Sequence, residues 1–191
     1  MSVEKLNSTL EKTRSVMKVL SQYHSYQVIG QKNFPTDGPF ILLNNHSLAT
    51  YDGFLLGLEI YNKIGRLPKA LGDDMLFNFS LTKYWCERIG IIPASPKNAK
   101  QALLDGEILA LAPGGMVESL RSSQERYKIK WNSRKGFIKL ALEAQVPIVL
   151  AACPQADKIF HVYGSPITIF IYDKFKFPLP IFRGLGPTLI P

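Results

Sequence analysis

Long apolar runs are missing from this 191-residue sequence. No uninterrupted stretch reaches the roughly 18 to 20 residues that a bilayer-crossing helix needs, and the polar, amphipathic start carries no signal-peptide pattern. The expectation is a cytoplasmic protein, or one bound peripherally to the cytosolic face of a membrane. Cysteine is almost absent: Cys86 and Cys153 stand far apart and fit no metal-ligand spacing, which predicts two reduced core thiols and no metal. His24 and His161 offer no third-ligand pattern for a metal hydrolase built on His46. Nor is there a Gly-x-Ser-x-Gly elbow, which argues against an α/β-hydrolase. Acid is scarce beside base, with 15 Asp and Glu against 23 Lys and Arg, a net charge of +8. That excess suits an acidic partner: an anionic lipid surface, a nucleotide-bearing molecule or nucleic acid. Nucleic acid ranks last, because the basic residues are scattered and no recognition motif accompanies them.

What is present fits one domain with a substantial core. Val3, Leu6, Leu10, Met17 and Leu20 recur at helical steps, with Ser2 as a cap. This predicts an amphipathic helix over residues 3–21, packed either on the domain's own core or on a membrane surface. The sequence thus divides into an N-terminal helical segment, 1–24, and a domain over 25–191. Within that domain strands and helices alternate. Strands are predicted at 26–31, 40–43, 69–72, 89–94, 107–112, 147–153 and 166–172, and helices at 53–64, 74–88, 96–104 and 134–145. Ser95-Pro96 gives the clearest helix start, a cap followed by proline at the first helical position. The alternation indicates an α/β domain with a mostly parallel central sheet flanked by helices. Phe77, Phe79, Tyr84 and Trp85 read as core, or as the lining of an apolar groove.

The stretch Phe40-Ile-Leu-Leu-Asn-Asn-His46 runs from a buried strand into a polar turn, and Asp52 opens the next helix. Chemistry in parallel α/β folds sits at such carboxyl ends of strands. An imidazole can take a proton near neutral pH, and a carboxylate on its other nitrogen would fix the tautomer. Six residues of straight helix turn a side chain by about 240°, so His46 must lie in the turn with the chain folding back to Asp52. The alternative is a plain loop histidine and a helix-capping aspartate. A second strand, Ile108-Leu-Ala-Leu-Ala112, ends in Pro113-Gly-Gly-Met-Val-Glu118-Ser-Leu-Arg121. There Gly114 and Gly115 would let the backbone approach a ligand closely.

These two blocks, with Val28-x-Gly30-x-x-Asn33-x-Pro35, Arg88-Ile-Gly-Ile-Ile-Pro93 and Val146-Pro-Ile-Val149, resemble the glycerolipid acyltransferase superfamily. The similarity is greatest to the monoacylglycerol and diacylglycerol acyltransferase-like branch, in which five residues separate His from Asp as they do His46 from Asp52. It covers about residues 26 to 182 and rests on the order and spacing of the blocks. After the proline-rich Phe177-Pro-Leu-Pro180 the resemblance implies a further strand, and the sequence stops at Pro191, as a short member or a fragment.

The resemblance implies an O-acyltransferase moving a fatty acyl group from acyl-CoA or acyl-carrier protein to a lipid hydroxyl. His46 would be the base and Asp52 its orienting partner, with no cofactor beyond the acyl thioester. It implies that Glu118 holds acceptor hydroxyls or orders the loop, and Arg121 and Arg134 are candidate phosphate ligands. Amides at Gly114 and Gly115 are candidates for holding an oxyanion. Phosphate-acceptor members carry an arginine in the second block, whereas Gly90-Ile-Ile-Pro-Ala-Ser95 has none. A neutral alcohol and a phosphorylated acceptor such as lysophosphatidate therefore both stand as readings, as does a non-catalytic lipid-binding protein of the same fold.

Overall fold

The computed structural model describes residues 3–191, with the side chains of 3–10, 49 and 51 excepted. The Ser2 cap and the side chains of Val3, Leu6 and Leu10 lie outside the described residues. In chain order the elements are α1 (Val3–Tyr23), β1 (Phe40–Asn44), α2 (Tyr51–Ile64), β2 (Lys69–Gly72), α3 (Ser80–Arg88), β3 (Ile91–Pro93), α4 (Pro96–Leu104) and β4 (Ile108–Leu111). They continue with α5 (Gly115–Ser119), α6 (Gly136–Ala144), β5 (Ile148–Ala151), α7 (Ala156–Ile159), β6 (His161–Tyr163), α8 (Pro166–Phe175) and β7 (Ile181–Arg183). Five strands form a parallel sheet in the order β3-β2-β4-β1-β5, flanked by helices, and β6 and β7 make a separate antiparallel pair. This is the α/β class that the alternation predicts.

The chain forms two compact units: Met1–Leu42 with Gly53–Leu111 and Gly136–Val149, and Leu43–Asp52 with Ala112–Lys135 and Leu150–Pro191. The first is built on apolar burial. Phe40, Ile41 and Leu42 of β1 are buried, as a strand covered on both faces requires. Helix α2 adds Leu55, Leu56, Leu58 and Ile60, and β4 adds Ile108 and Leu109. Helix α4 starts where predicted: the Ser95 side chain accepts the Asn98 N–H at 3.1 Å and Pro96 fills the first turn. Gly106, at φ +78°, ends it and turns the chain into β4. Helix α1 packs within this unit. Thr13 and Met17 line an apolar cavity of about 50 Å³ with Phe54, Leu58 and Leu67, and Arg14 stacks on the Tyr61 ring at 4.8 Å. Val16, Val19 and Tyr23 form an exposed stripe on α1.

Several expectations change here. Residues 26–31 form no strand, because the chain reaches the left-handed Gly30 (φ +83°) and a 3₁₀ turn at Gln31–Asn33. The helix expected over 74–88 is interrupted at extended Phe79, leaving a 3₁₀ turn, Asp74–Phe77, ahead of α3. Phe79, Tyr84 and Trp85 are exposed rather than core. Cys86 is buried, whereas Cys153 is only half-buried; both are free thiols. Leu150 of β5, expected in a buried strand, is exposed, and β5 is an edge strand of the sheet.

In the second unit the strand expected at 166–172 is helix α8. Ser165 caps it by accepting the Ile167 N–H at 3.2 Å, and Pro166 occupies its first turn. This is the same device that starts α4, and it outweighs the β-branched composition of the stretch. Phe160 and Phe182 meet edge-to-face at 5.3 Å beside the β6–β7 pair.

Candidate active site

His46, Asp52, Gly114, Gly115, Glu118, Arg121 and Arg134 all belong to the second unit. The turn after β1 is fixed first by Asn45. Its Oδ1 accepts the Cys153 N–H at 2.8 Å, and its Nδ2 donates to the Cys153 carbonyl at 3.4 Å. His46 follows, gripped through its backbone. Its N–H donates to Glu118 Oε1 at 2.8 Å, and its carbonyl accepts from Arg121 Nη1 at 2.7 Å. The imidazole is half-buried, with Nδ1 3.0 Å from the Ser47 carbonyl and 3.1 Å from Thr50 Oγ1. A carbonyl only accepts, so its contact assigns the proton to Nδ1 and leaves the lone pair on Nε2. Burial pushes the His46 pKa below its ordinary 6.5, and Arg121 adds to the lowering, against the Ser47 carbonyl and Glu118. The ring is therefore neutral at neutral pH, the form a general base requires.

Asp52 sits in the first turn of α2, buried, and accepts a hydrogen bond from the Ser47 hydroxyl. The direct carboxylate–imidazole bond expected from the sequence is replaced by a relay. Ser47 gives its hydroxyl to Asp52 and its carbonyl to His46, and that carbonyl also accepts from Ser119 Oγ at 3.3 Å. Burial pushes the Asp52 pKa up, and the Ser47 hydroxyl opposes it.

Glu118 is fully buried, in keeping with the loop-ordering role rather than an open carboxylate. Its second oxygen accepts the Lys130 N–H at 2.9 Å, so the carboxylate ties the His46 turn to the loop after α5. A Cβ at Gly114 would overlap the Glu118 side chain. Gly115 takes φ +53° and gives its N–H to the Ala112 carbonyl at 3.0 Å. The glycine pair thus makes room for a buried carboxylate and a left-handed turn, and the Gly115 amide is bonded within the turn.

Both arginines hold backbone carbonyls. Buried Arg121 donates to the carbonyls of His46 and Glu118 and pairs with Asp157. Arg134 donates through Nη1 to the Pro113 carbonyl at 2.9 Å and to that of Gly114, bracing the glycine turn. Sequence reasoning missed Asp157, which also accepts the Tyr127 N–H at 2.8 Å. Nothing local marks it, since its partner Arg121 lies 36 positions earlier. A pocket of about 20 Å³ beside Leu48, Ser123, Asp157 and Phe160 has room for about one water-sized group. Among the described residues no group of three or more His, Cys, Asp or Glu is placed to hold a metal ion, and no helix is long and apolar enough to cross a membrane.

The family model described as "Acyltransferase" matches residues 25–153. The chain belongs to the acyltransferase family. The chain is 28% identical over 164 residues to a Bos taurus protein named "DGAT1/2-independent enzyme synthesizing storage lipids", covering 85% of this chain and 49% of the relative. The Homo sapiens protein of that name is 27% identical, at 85% and 50% coverage. An uncharacterized protein of Mycobacterium tuberculosis is 26% identical over 171 residues, at 86% and 48% coverage. The chain spans about half the length of the curated relatives it matches. No solved structure matches it.

Proposed function

We propose that this chain transfers a fatty acyl group from an acyl thioester, acyl-CoA or acyl-carrier protein, to the hydroxyl of a neutral lipid alcohol. His46 Nε2 takes the hydroxyl proton as the oxygen attacks the thioester carbonyl carbon. The tetrahedral intermediate collapses, the C–S bond breaks, and the leaving thiolate takes the proton back from the imidazolium. The ester and the free thiol leave, and the base is regenerated. Asp52 is a positioning residue in this scheme: it braces Ser47, whose carbonyl holds the Nδ1 proton.

The observation that carries the reading is an imidazole with Nδ1 against the Ser47 carbonyl and its backbone bonded at both N–H and carbonyl. The neutral acceptor is favoured because Arg121 and Arg134 are engaged by protein carbonyls and Asp157. The name of the mammalian relatives, which refers to storage lipids, agrees with it. The test is thiol release from acyl-CoA and acyl-carrier protein with a panel of mono- and diacylglycerols and their phosphorylated counterparts, using His46→Ala as control. His46-dependent release with a neutral alcohol is the expected result. Release confined to phosphorylated acceptors would overturn the acceptor, and release unaffected by His46→Ala would overturn the mechanism.

A further inference from the structure

Helix α8, Pro-Ile-Thr-Ile-Phe-Ile-Tyr-Asp-Lys-Phe175, has the composition of a buried helix, apolar nearly all round. Yet Thr168 alone on it is buried, and its hydroxyl donates to the Leu179 carbonyl at 3.0 Å. Ile167, Ile169, Phe170 and Phe175 are 59 to 65% exposed, and Leu179 and Ile181 of the tethered segment are exposed as well. Exposed apolar side chains concentrated on one short helix in this way mark an interaction site.

The charges beside it indicate the partner. Three basic residues, Lys174, Lys176 and Arg183, stand against one acid, Asp173, over residues 161–191. Lys174 Nζ lies 5.6 Å from the Phe170 ring centroid and 5.4 Å from that of Phe175, and Lys176 Nζ lies 5.4 Å from that of Tyr172. The two lysines ride on the rings they would flank at a water–lipid boundary, apolar body inward and cation at headgroup level. Ten residues of helix reach only about 15 Å, so α8 can lie in an interface and cannot cross it.

We propose that α8 and the segment through β7 dock on an anionic lipid bilayer, with Phe170 and Phe175 as the inserted anchors and Lys174 and Lys176 contacting the headgroups. The inference is independent of the acyl-transfer reading, because it concerns binding to lipid in the absence of any thioester.

The test is co-sedimentation of the 191-residue chain with vesicles of phosphatidylcholine alone, and with about 30 mole per cent phosphatidylserine added. Binding is expected to the anionic vesicles, weakened at ~0.5 M salt. Phe170→Ser with Phe175→Ser should lower the partition coefficient by about ten- to a hundredfold. Lys174→Glu with Lys176→Glu should lower it by roughly tenfold or more and remove the preference for phosphatidylserine. All four positions are exposed, and melting curves verify that the variants stay folded. Equal binding by the phenylalanine variant would overturn the proposal. So would loss of binding only in Val16→Ser/Val19→Ser, which would move the contact to α1. A lipid-free dimer dissociated by the phenylalanine changes would assign the face to a second copy instead. Transfer to a water-soluble short-chain alcohol, measured without vesicles, tests the catalytic reading separately.

Discussion

The two units are stabilised by different physics. Among the described residues the first holds most of the buried apolar side chains, Phe40, Leu55, Ile60, Ile108 and Leu109 among them, and one buried charge, Arg88. In the second the proportion reverses. Leu43, Ala156 and Val162 are its buried apolar residues, while Asn44, Asn45, Ser47, Asp52, Glu118, Ser119, Arg121 and Thr168 are buried and polar. Apolar burial is non-directional and tolerates repacking. A buried ion chain such as Glu118–Arg121–Asp157 adds little net stability but fixes geometry, since any unpaired member is costly. The scaffold is thus built for stability and the site region for position.

That contrast can be broken experimentally. The largest effect expected is on rate alone: His46→Ala should lower kcat about 10²- to 10⁴-fold, while urea unfolding stays near wild type. Glu118→Ala should cost roughly 3 to 5 kcal/mol, because Arg121 and two backbone amides lose their acceptor. Leu109→Ala should cost a similar ~2 to 5 kcal/mol. The distinction lies in residual activity per folded molecule, retained in Leu109→Ala and lost in Glu118→Ala. Equal retention in both would erase the difference between the units.

Gly114→Ala should cost about 1 to 3 kcal/mol by overpacking. Combined with Glu118→Ala it should cost less than the two changes summed, since the side chain it strikes is gone. Additive costs in unfolding titrations would remove Glu118 as the reason for that glycine.

The smallest effect concerns pH. The rising limb of kcat/KM should have its midpoint below 6.5, because burial depresses His46. With the folded pKa below the unfolded one, the unfolded chain binds the proton first, so His46 adds an unfavourable contribution as pH falls through 6.5. Ser47→Ala keeps the carbonyl on His46 but releases Asp52. It should lower the rate about tenfold with only a small shift of that midpoint. A large shift in the rate profile would mean that Asp52 acts on the imidazole directly.

The sheet was legible because its information is local. The FILL run, the Ser95-Pro96 start and the strand ahead of Pro113 each declare themselves within a few residues. Ser165-Pro166 carried the same start signal for α8, but Ile167, Thr168, Ile169 and Ile171 are β-branched and read as a strand. The site was legible in its residue types and less so in its bonds. His46, Glu118 and Arg121 stand out in sequence, yet what each one touches depends on contacts across tens of residues, such as Glu118 with Lys130 N–H or Arg121 with Asp157. The interposition of Ser47 between His46 and Asp52 is a matter of turn conformation, which spacing does not encode.

Glu118 grips the amides of His46 and Lys130, not their side chains. A grip on backbone is indifferent to the residue that carries it. The Lys130 side chain can therefore change without loosening this grip, whereas Ser123 and Arg126 of the same loop bond the Val162 N–H and the Asp157 carbonyl through their side chains. Position 130 tolerates nineteen of the twenty amino acids on this criterion and excludes only proline, which has no N–H to give.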